Sequence, residues 1–155
     1  MDKIDHDILK ILQQKARIPN VEVARTVGMA PSAVLERIKK LEAKGVIQGY
    51  EVRLDPEQFN CAMTAFVEIR VKTPASVTKT GQALAKIDRI QEIHYIAGKD
   101  ALLAKIKVAD NQELEHILSR RIASHDAVAG TRTHIVLSTM KESAKIPLPK
   151  TIAQP

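Results

Sequence analysis

Small, polar and basic residues alternate with aliphatic ones between Ala30 and Gly45, in a pattern suited to contact with nucleic acid. The six residues of interest are Ser32, Ala33, Glu36, Arg37, Lys39 and Lys40. Guanidinium and carboxylate groups can hydrogen-bond to base edges, and Lys ammonium groups suit backbone phosphates. Elsewhere the chain shows no nucleophile motif, phosphate-binding Gly loop or carboxylate pair with recognisable spacing. The chemistry that stands out is therefore noncovalent recognition.

Arg37 is the strongest single candidate, and its position leaves open whether it contacts a guanine or a phosphate. Lys39 and Lys40 are predicted to contact phosphates, which adds affinity and salt dependence without selecting a sequence. Two interpretations of Glu36 stay open: acceptance from cytosine, or the favoured intrahelical ion pair with Lys40.

A helix must hold these side chains in a fixed array. Pro31 suits its first position, and Gly45 suits the left-handed residue after its last turn. Aliphatic residues at helical spacing predict its buried face. They are Val34, Leu35, Ile38 and Leu41.

Two shorter patterns precede this helix. The first helix is predicted over residues 3–14, with Asp2 as N-cap; the second is predicted to be capped by Asn20 and ended by Gly28. A three-residue turn, 28–30, then leads into the helix at Pro31. Three helices with so short a turn before the last predict a helix-turn-helix domain.

The composition of the 155 residues favours a soluble protein with an anionic partner. The net charge is +6 and the pI about 9.5, while aromatic residues make up 3% and Trp is absent, which disfavours stacking platforms for single strands. A single cysteine, Cys61, suits a reducing cytoplasm. We expect a cytoplasmic, nucleoid-associated location and no membrane association, cofactor or metal site.

The second half changes period. Residues 62–72 alternate as a strand, followed by a helix at 73–87, strands at 93–97 and 102–108, a helix with a capping box at Asp110 and Glu113, and a strand at 131–139. This order predicts a ferredoxin-like βαββαβ domain and an α+β fold overall. The predicted division is residues 1–50 as the helix-turn-helix (winged-helix-like) domain, 51–61 as a connector strand and turn, 62–142 as the βαββαβ domain and 143–155 as a tail.

Several motifs resemble the leucine-responsive, or feast/famine, regulators of bacteria and archaea (Lrp/AsnC type). They are Asp5-x-x-Ile8-Leu9, Arg37-x-x-x-Leu41-Glu42-x-x-Gly45-Val46-Ile47, Gly49-Tyr50 and Leu54-Asp55-Pro56. The resemblance implies a transcription regulator that binds double-stranded DNA. It also implies a homodimer that assembles into tetramers or octamers, with a small effector, usually an amino acid, at subunit interfaces.

The sequence departs from the family pattern at two places. Ala30 stands where a Ser commonly caps the third helix. The hairpin turn runs Gly98, Lys99, Asp100, where the family usually has Gly-x-x-Asp. The resemblance places the effector at this turn and at Thr131 and Thr133, but the shorter spacing leaves an effector-independent, nucleoid-architectural protein open.

A further alternative is an enzyme resembling the haem-biosynthesis decarboxylases that act on sirohaem. Such enzymes have a degenerate DNA-binding half, whereas the basic stretch from Arg37 to Lys44 is intact here. We therefore expect a sequence-specific DNA-binding regulator and not an enzyme.

Overall fold

A computed structural model of the chain describes residues 1–97 and 101–149. The chain divides into two compact units. The N-terminal unit comprises residues 1–53 together with the described residues from Glu142 to 149, and the C-terminal unit lies within residues 54–141. Each unit is described by itself below.

Three helices form the N-terminal unit: α1 (Lys3–Gln14), α2 (Asn20–Val27) and α3 (Pro31–Ala43). Asp2 caps α1 as predicted, within a capping box in which Asp2 and Asp5 each accept a hydrogen bond from the other's backbone N–H. The three helices bury an aliphatic core. Its members are Ile8, Val23, Ala24, Val34 and Ile38. The predicted helix-turn-helix arrangement is confirmed.

The cap of α2 was predicted wrongly. Asn20 is the first residue of α2, and Pro19 is the N-cap, without a side-chain hydrogen bond. The extended backbone of Pro19 directs its carbonyl into the helix, where it accepts from the N–H groups of Glu22 and Val23. The Pro19 carbonyl thus accepts the first hydrogen bonds of α2, and the helix begins there without a side-chain capping bond.

Gly28 ends α2 in the left-handed region, with φ of 69°. The Gly28→Ala substitution should lower the free energy of unfolding by about 1–2 kcal/mol, because a Cβ is disfavoured at this φ. Nothing lies within 4 Å of such a Cβ, so the cost is conformational and not a clash. Denaturant unfolding should show a smaller loss for Gly28→Asn, since Asn tolerates this conformation. Equal losses for both variants would contradict the explanation.

Pro31 begins α3 and Gly45, with φ of 68°, follows it, as predicted. Val34, Ile38 and Leu41 are buried, but Leu35 is 40% exposed, contrary to prediction. At about 100° per residue, Leu35 lies at the margin of the arc that the other three residues define, where the small bundle leaves it uncovered.

The described residues of the C-terminal unit form four strands and two α-helices. They are β1 (Met63–Val71), α4 (Val77–Leu84), β2 (Ile90–Ile96), β3 (Ala101–Val108), α5 (Asn111–His116) and β4 (Val128–Ile135). The strand order is β2-β3-β1-β4 and every pairing is antiparallel. This is the ferredoxin-like βαββαβ topology, and the predicted fold class is confirmed.

The alternation predicted for β1 is present, and its buried residues lie on the core side of the sheet. They are Ala65, Val67, Ile69 and Val71. The helix expected at 73–87 is a 3₁₀ turn, Pro74–Ser76, followed by the shorter α4; α5 continues as a π-helical segment, Ile117–Ile122. Strand β2 begins three residues earlier than predicted. Strand β4, predicted at 131–139, begins at Val128, which pairs with Val71, and ends at Ile135, which pairs with Ala65.

Two local expectations need correction. Residues 51–55 have no strand pairing, so the connector contains a 3₁₀ helix, Pro56–Phe59, but no strand. Asp110 caps α5 by accepting from the Glu113 N–H at 2.8 Å. The Glu113 carboxylate does not complete the capping box, because it accepts from the Ala109 N–H and from Arg89. Within the described chain, no helix is both long and apolar enough to cross a bilayer.

Candidate nucleic-acid interface

The outward face of α3 carries most of the predicted contact residues. Ser32, Glu36, Lys39 and Lys40 are exposed, whereas Ala33 and Arg37 are half-buried. The predicted ion pair between Glu36 and Lys40 is absent. Among the described residues, no carboxylate forms an ion pair with Lys39 or Lys40 either. The two ammonium groups are thus available to an external anion.

The start of α3 has no polar side-chain cap. Ala30 is the N-cap and gives no side-chain hydrogen bond, and Ser32 does not compensate. The N–H groups of the first turn have no intrahelical acceptors in any α-helix, and they carry the positive end of the helix dipole. A backbone phosphate is one partner that could satisfy them.

Arg37 faces α1 and is partly exposed. Its Nη1 donates to Oδ2 of Asp2 and to Oδ1 of Asp5, each at 2.7 Å. The Arg37 side chain is 28% exposed, and that of Asp5 is 15% exposed. The best single candidate from sequence is thus held by two carboxylates of the neighbouring helix.

These contacts shift the pKa of Asp2 and the pKa of Arg37, each in the direction that favours the charged form. The pKa of the Asp2 carboxyl is lowered, chiefly by the hydrogen bond from the Asp5 backbone N–H and next by that from Arg37. The pKa of Arg37 is raised, first by its hydrogen bond to Asp5 and then by that to Asp2. Both shifts favour the charged form, in keeping with the ion pair between Asp2 and Arg37 at 2.7 Å.

A concave surface of about 560 Å³ lies beside this cluster, between the start of α1 and α3. Its polar lining includes Asp5, Glu36, Arg37, Lys40 and Lys44. Ala33, which is half-buried, lines the same surface. The surface therefore includes both Arg37 and two residues of the outward face of α3, Glu36 and Lys40.

The end of α3 is joined to the connector through Tyr50, whose hydroxyl donates to Oε1 of Glu42 at 2.9 Å. Tyr50 is 48% exposed, and its partial burial, followed by the hydrogen bond to Glu42, raises its pKa to about 12. The stability that this contact contributes is fully present below the usual pKa of 10.0 and is lost as the pH rises through about 12.

Tyrosinate absorbance of the wild type minus that of Tyr50→Phe should therefore show a midpoint near pH 12. In Glu42→Gln the midpoint should fall, because the negative charge that opposes ionisation is gone, but burial should keep it above 10.0. A midpoint unchanged by Glu42→Gln would contradict the role given to Glu42.

The predicted effector residues are only partly described. Gly98, Lys99 and Asp100 lie outside the described residues. Thr131 pairs with Ile69, and Thr133 pairs with Val67, so both lie on the core side of edge strand β4. Thr131 is exposed and Thr133 half-buried. Two hydroxyl groups therefore share one face of an edge strand.

Sequence reasoning missed the contacts that Arg37 makes. The sequence shows Asp2 and Asp5 near the start of the chain, and capping explained both without another partner. Asp2 lies 35 residues and Asp5 32 residues from Arg37 in the sequence, so no local pattern indicates that they are its partners. Gln13 was also missed: its side-chain amide makes two hydrogen bonds to the backbone of Ile146.

Comparison with known proteins then decides the family. A family model for the Lrp/AsnC ligand binding domain matches residues 64–146, and one for winged helix-turn-helix DNA-binding matches residues 1–48. The chain belongs to the Lrp/AsnC family. This Lrp/AsnC protein is a DNA-binding transcriptional regulator with a ligand-binding domain.

Relatives support this assignment over nearly the whole chain. The leucine-responsive regulatory proteins of Klebsiella pneumoniae and Escherichia coli K12 are each 34% identical over 148 residues, which is 94% of this chain and 90% of theirs. A transcriptional regulator of Neisseria meningitidis in complex with L-Met superposes with a TM-score of 0.89 at 28% identity, covering 96% of this chain and 97% of that one. The AsnC structure from E. coli gives 0.86 at 26% identity, covering 96% and 99%.

Proposed function

We propose that this Lrp/AsnC regulator binds specific duplex sites by placing the outward face of α3 in the major groove. The observation that carries the proposal is the pair of exposed lysines, Lys39 and Lys40, for which the described part of the chain supplies no carboxylate partner. They would contact phosphates, while Ser32 and Glu36 would face the base edges.

We further propose that the regulator acts as a homodimer or a larger assembly. The sheet face opposite α4 and α5 carries Phe66, which is 37% exposed and lies between Lys105 and His134 on the neighbouring strands. A second copy would cover this face. A two-fold pair of α3 helices predicts half-sites about 34–36 Å apart, or a multiple of that spacing.

Selection of bound fragments from a random duplex pool, followed by gel-shift titration, tests the DNA proposal. We expect a pseudo-palindromic sequence that binds more tightly than an unrelated duplex of equal length at the same salt concentration. Equal affinity for all fragments would contradict sequence-specific binding and favour a purely architectural protein. The Phe66→Asp variant should reduce the mass measured by light scattering, whereas an unchanged mass would contradict the sheet-face dimer.

For the effector we propose an amino acid bound near Thr131 and Thr133, together with the turn at Gly98, Lys99 and Asp100. The ligand-binding family match and the L-Met complex of the Neisseria meningitidis regulator support this proposal. Calorimetric titration of each amino acid tests it, with Thr131→Val and Thr133→Val as variants that keep shape but remove a hydrogen-bonding group. Absence of heat, together with DNA affinity unchanged by every amino acid, would favour effector-independent action.

A further inference from the structure

Arg37, Asp2 and Asp5 form a closed set of hydrogen bonds that joins the recognition helix α3 to the start of α1. Asp2 accepts the Asp5 N–H at Oδ1 (2.8 Å) and Arg37 at Oδ2 (2.7 Å). Asp5 accepts the Asp2 N–H at Oδ2 (3.0 Å) and Arg37 at Oδ1 (2.7 Å). Each carboxylate thus uses one oxygen for the capping box and the other for Arg37.

This arrangement fixes the guanidinium in direction as well as in distance. The capping box attaches both carboxylates to the backbone of the first turn of α1, so neither can follow Arg37 outward without leaving its N–H donor. Hydrogen bonds between charged groups are short and directional, unlike the packing of Ile38 and Leu41 against the core. The apolar core packs against one side of α3, and the charged contacts connect the Arg37 side chain to the first turn of α1.

We propose that Arg37 is a positioning residue, and that Asp2 and Asp5 are specificity determinants that do not touch DNA. Through Arg37 they set the angle at which Ser32 and Glu36 are presented to the bases. The inference rests on the proposed binding of DNA by the outward face of α3, and it assigns to Arg37 a role other than base contact.

The opposite model makes an opposite prediction about the acidic residues. If Arg37 contacted a base or a phosphate, Asp2 and Asp5 would compete with DNA for its guanidinium. Removing their charge would then strengthen specific binding. If Arg37 positions α3, the same change weakens discrimination between sites, although general affinity for DNA rises or stays constant because negative charge is lost.

The test measures Kd for the selected site and for an unrelated duplex of equal length, at one salt concentration. Asp5→Asn and Asp2→Asn should each lower the ratio of specific to nonspecific affinity by at least about fivefold, the smallest loss that one mismatched contact gives. Asp7→Asn is the matched control: it removes the same charge from α1, but Asp7 lies beside Lys10 and His6 and not Arg37. Its ratio should not change.

A double-mutant cycle separates positioning from direct contact. Arg37→Met should lower the ratio in the wild type but should add little once Asp5→Asn is present, while circular dichroism and nonspecific affinity report that the helices are retained. Where Arg37→Met does not fold, Arg37→Lys takes its place in the same cycle. A ratio of specific to nonspecific affinity that is unchanged or higher in Asp5→Asn, or additive losses in the cycle, would overturn the inference. A wild type without site preference would instead show that the proposed function has failed.

Discussion

Ile106→Ala is expected to lower the free energy of unfolding by about 2–5 kcal/mol, because it removes a fully buried aliphatic side chain from the core of the C-terminal unit. Ile106 is 0% exposed and lies on β3, where it pairs with Ala65 on one side and Ile90 on the other. Because Ile106 is enclosed by the apolar core, the cavity left by the substitution is not open to solvent. Urea unfolding at fixed protein concentration measures the loss, since any self-association would otherwise change the apparent stability.

Ile135→Ala provides the matched control in the same sheet. Ile135 also pairs with Ala65, but it lies at the end of edge strand β4 and is 47% exposed. The same atoms are removed in both variants, so the difference between them reports burial alone. Comparable losses at the two positions would show that the sheet packs less tightly around Ile106 than the structure indicates.

Local sequence patterns predicted those parts of the fold that depend on neighbouring residues. Asp2 and Asp110 cap their helices because each carboxylate accepts a hydrogen bond from the backbone N–H three residues later, a contact that depends only on local sequence. Alternation identified the buried side of β1, since one residue in two must face the helices. Gly28 and Gly45 ended helices because the left-handed conformation strongly favours glycine.

Several of the features that were missed depend on residues far apart in the chain. The start of β2 at Ile90 follows from pairing with Ile106, and the start of β4 at Val128 follows from pairing with Val71. Leu35 matches the helical period, yet its exposure depends on how much of α3 the other helices cover. Periodicity states which residues share a face, but only the assembled unit shows which face is covered.

In the candidate interface, too, the features set by neighbouring residues were predicted and those set by distant residues were missed. The identity of α3 and the exposure of Lys39 and Lys40 followed from spacing and charge, whereas the engagement of Arg37 by α1 did not. A helical pattern places Arg37 outside the apolar stripe, but it cannot distinguish solvent from the carboxylates of a neighbouring helix. Arg37, the residue of α3 that the sequence favours most for DNA contact, is therefore the one whose side chain is bound by carboxylates of the same protein.

Reversal of charge at both Lys39 and Lys40 is expected to have the largest effect on DNA affinity. The double variant Lys39→Glu with Lys40→Glu should weaken binding to the selected site at least about a hundredfold at moderate salt, because two phosphate contacts are lost and two repulsive charges are added. The slope of log K against log salt should fall by about 2 per protomer, since each phosphate contact contributes about 0.9. Gel-shift titrations at several salt concentrations measure both quantities.

Lys79→Glu with Lys86→Glu is the matched control, since it changes the net charge equally but in the C-terminal unit, where both lysines are exposed. A general effect of net charge would weaken binding similarly in both double variants, with similar changes in slope. A local effect would be confined to α3. Because the two lysines have no carboxylate partner in the described structure, their replacement breaks no internal ion pair, so unfolding should be nearly unchanged and the lost affinity can be assigned to contact with DNA.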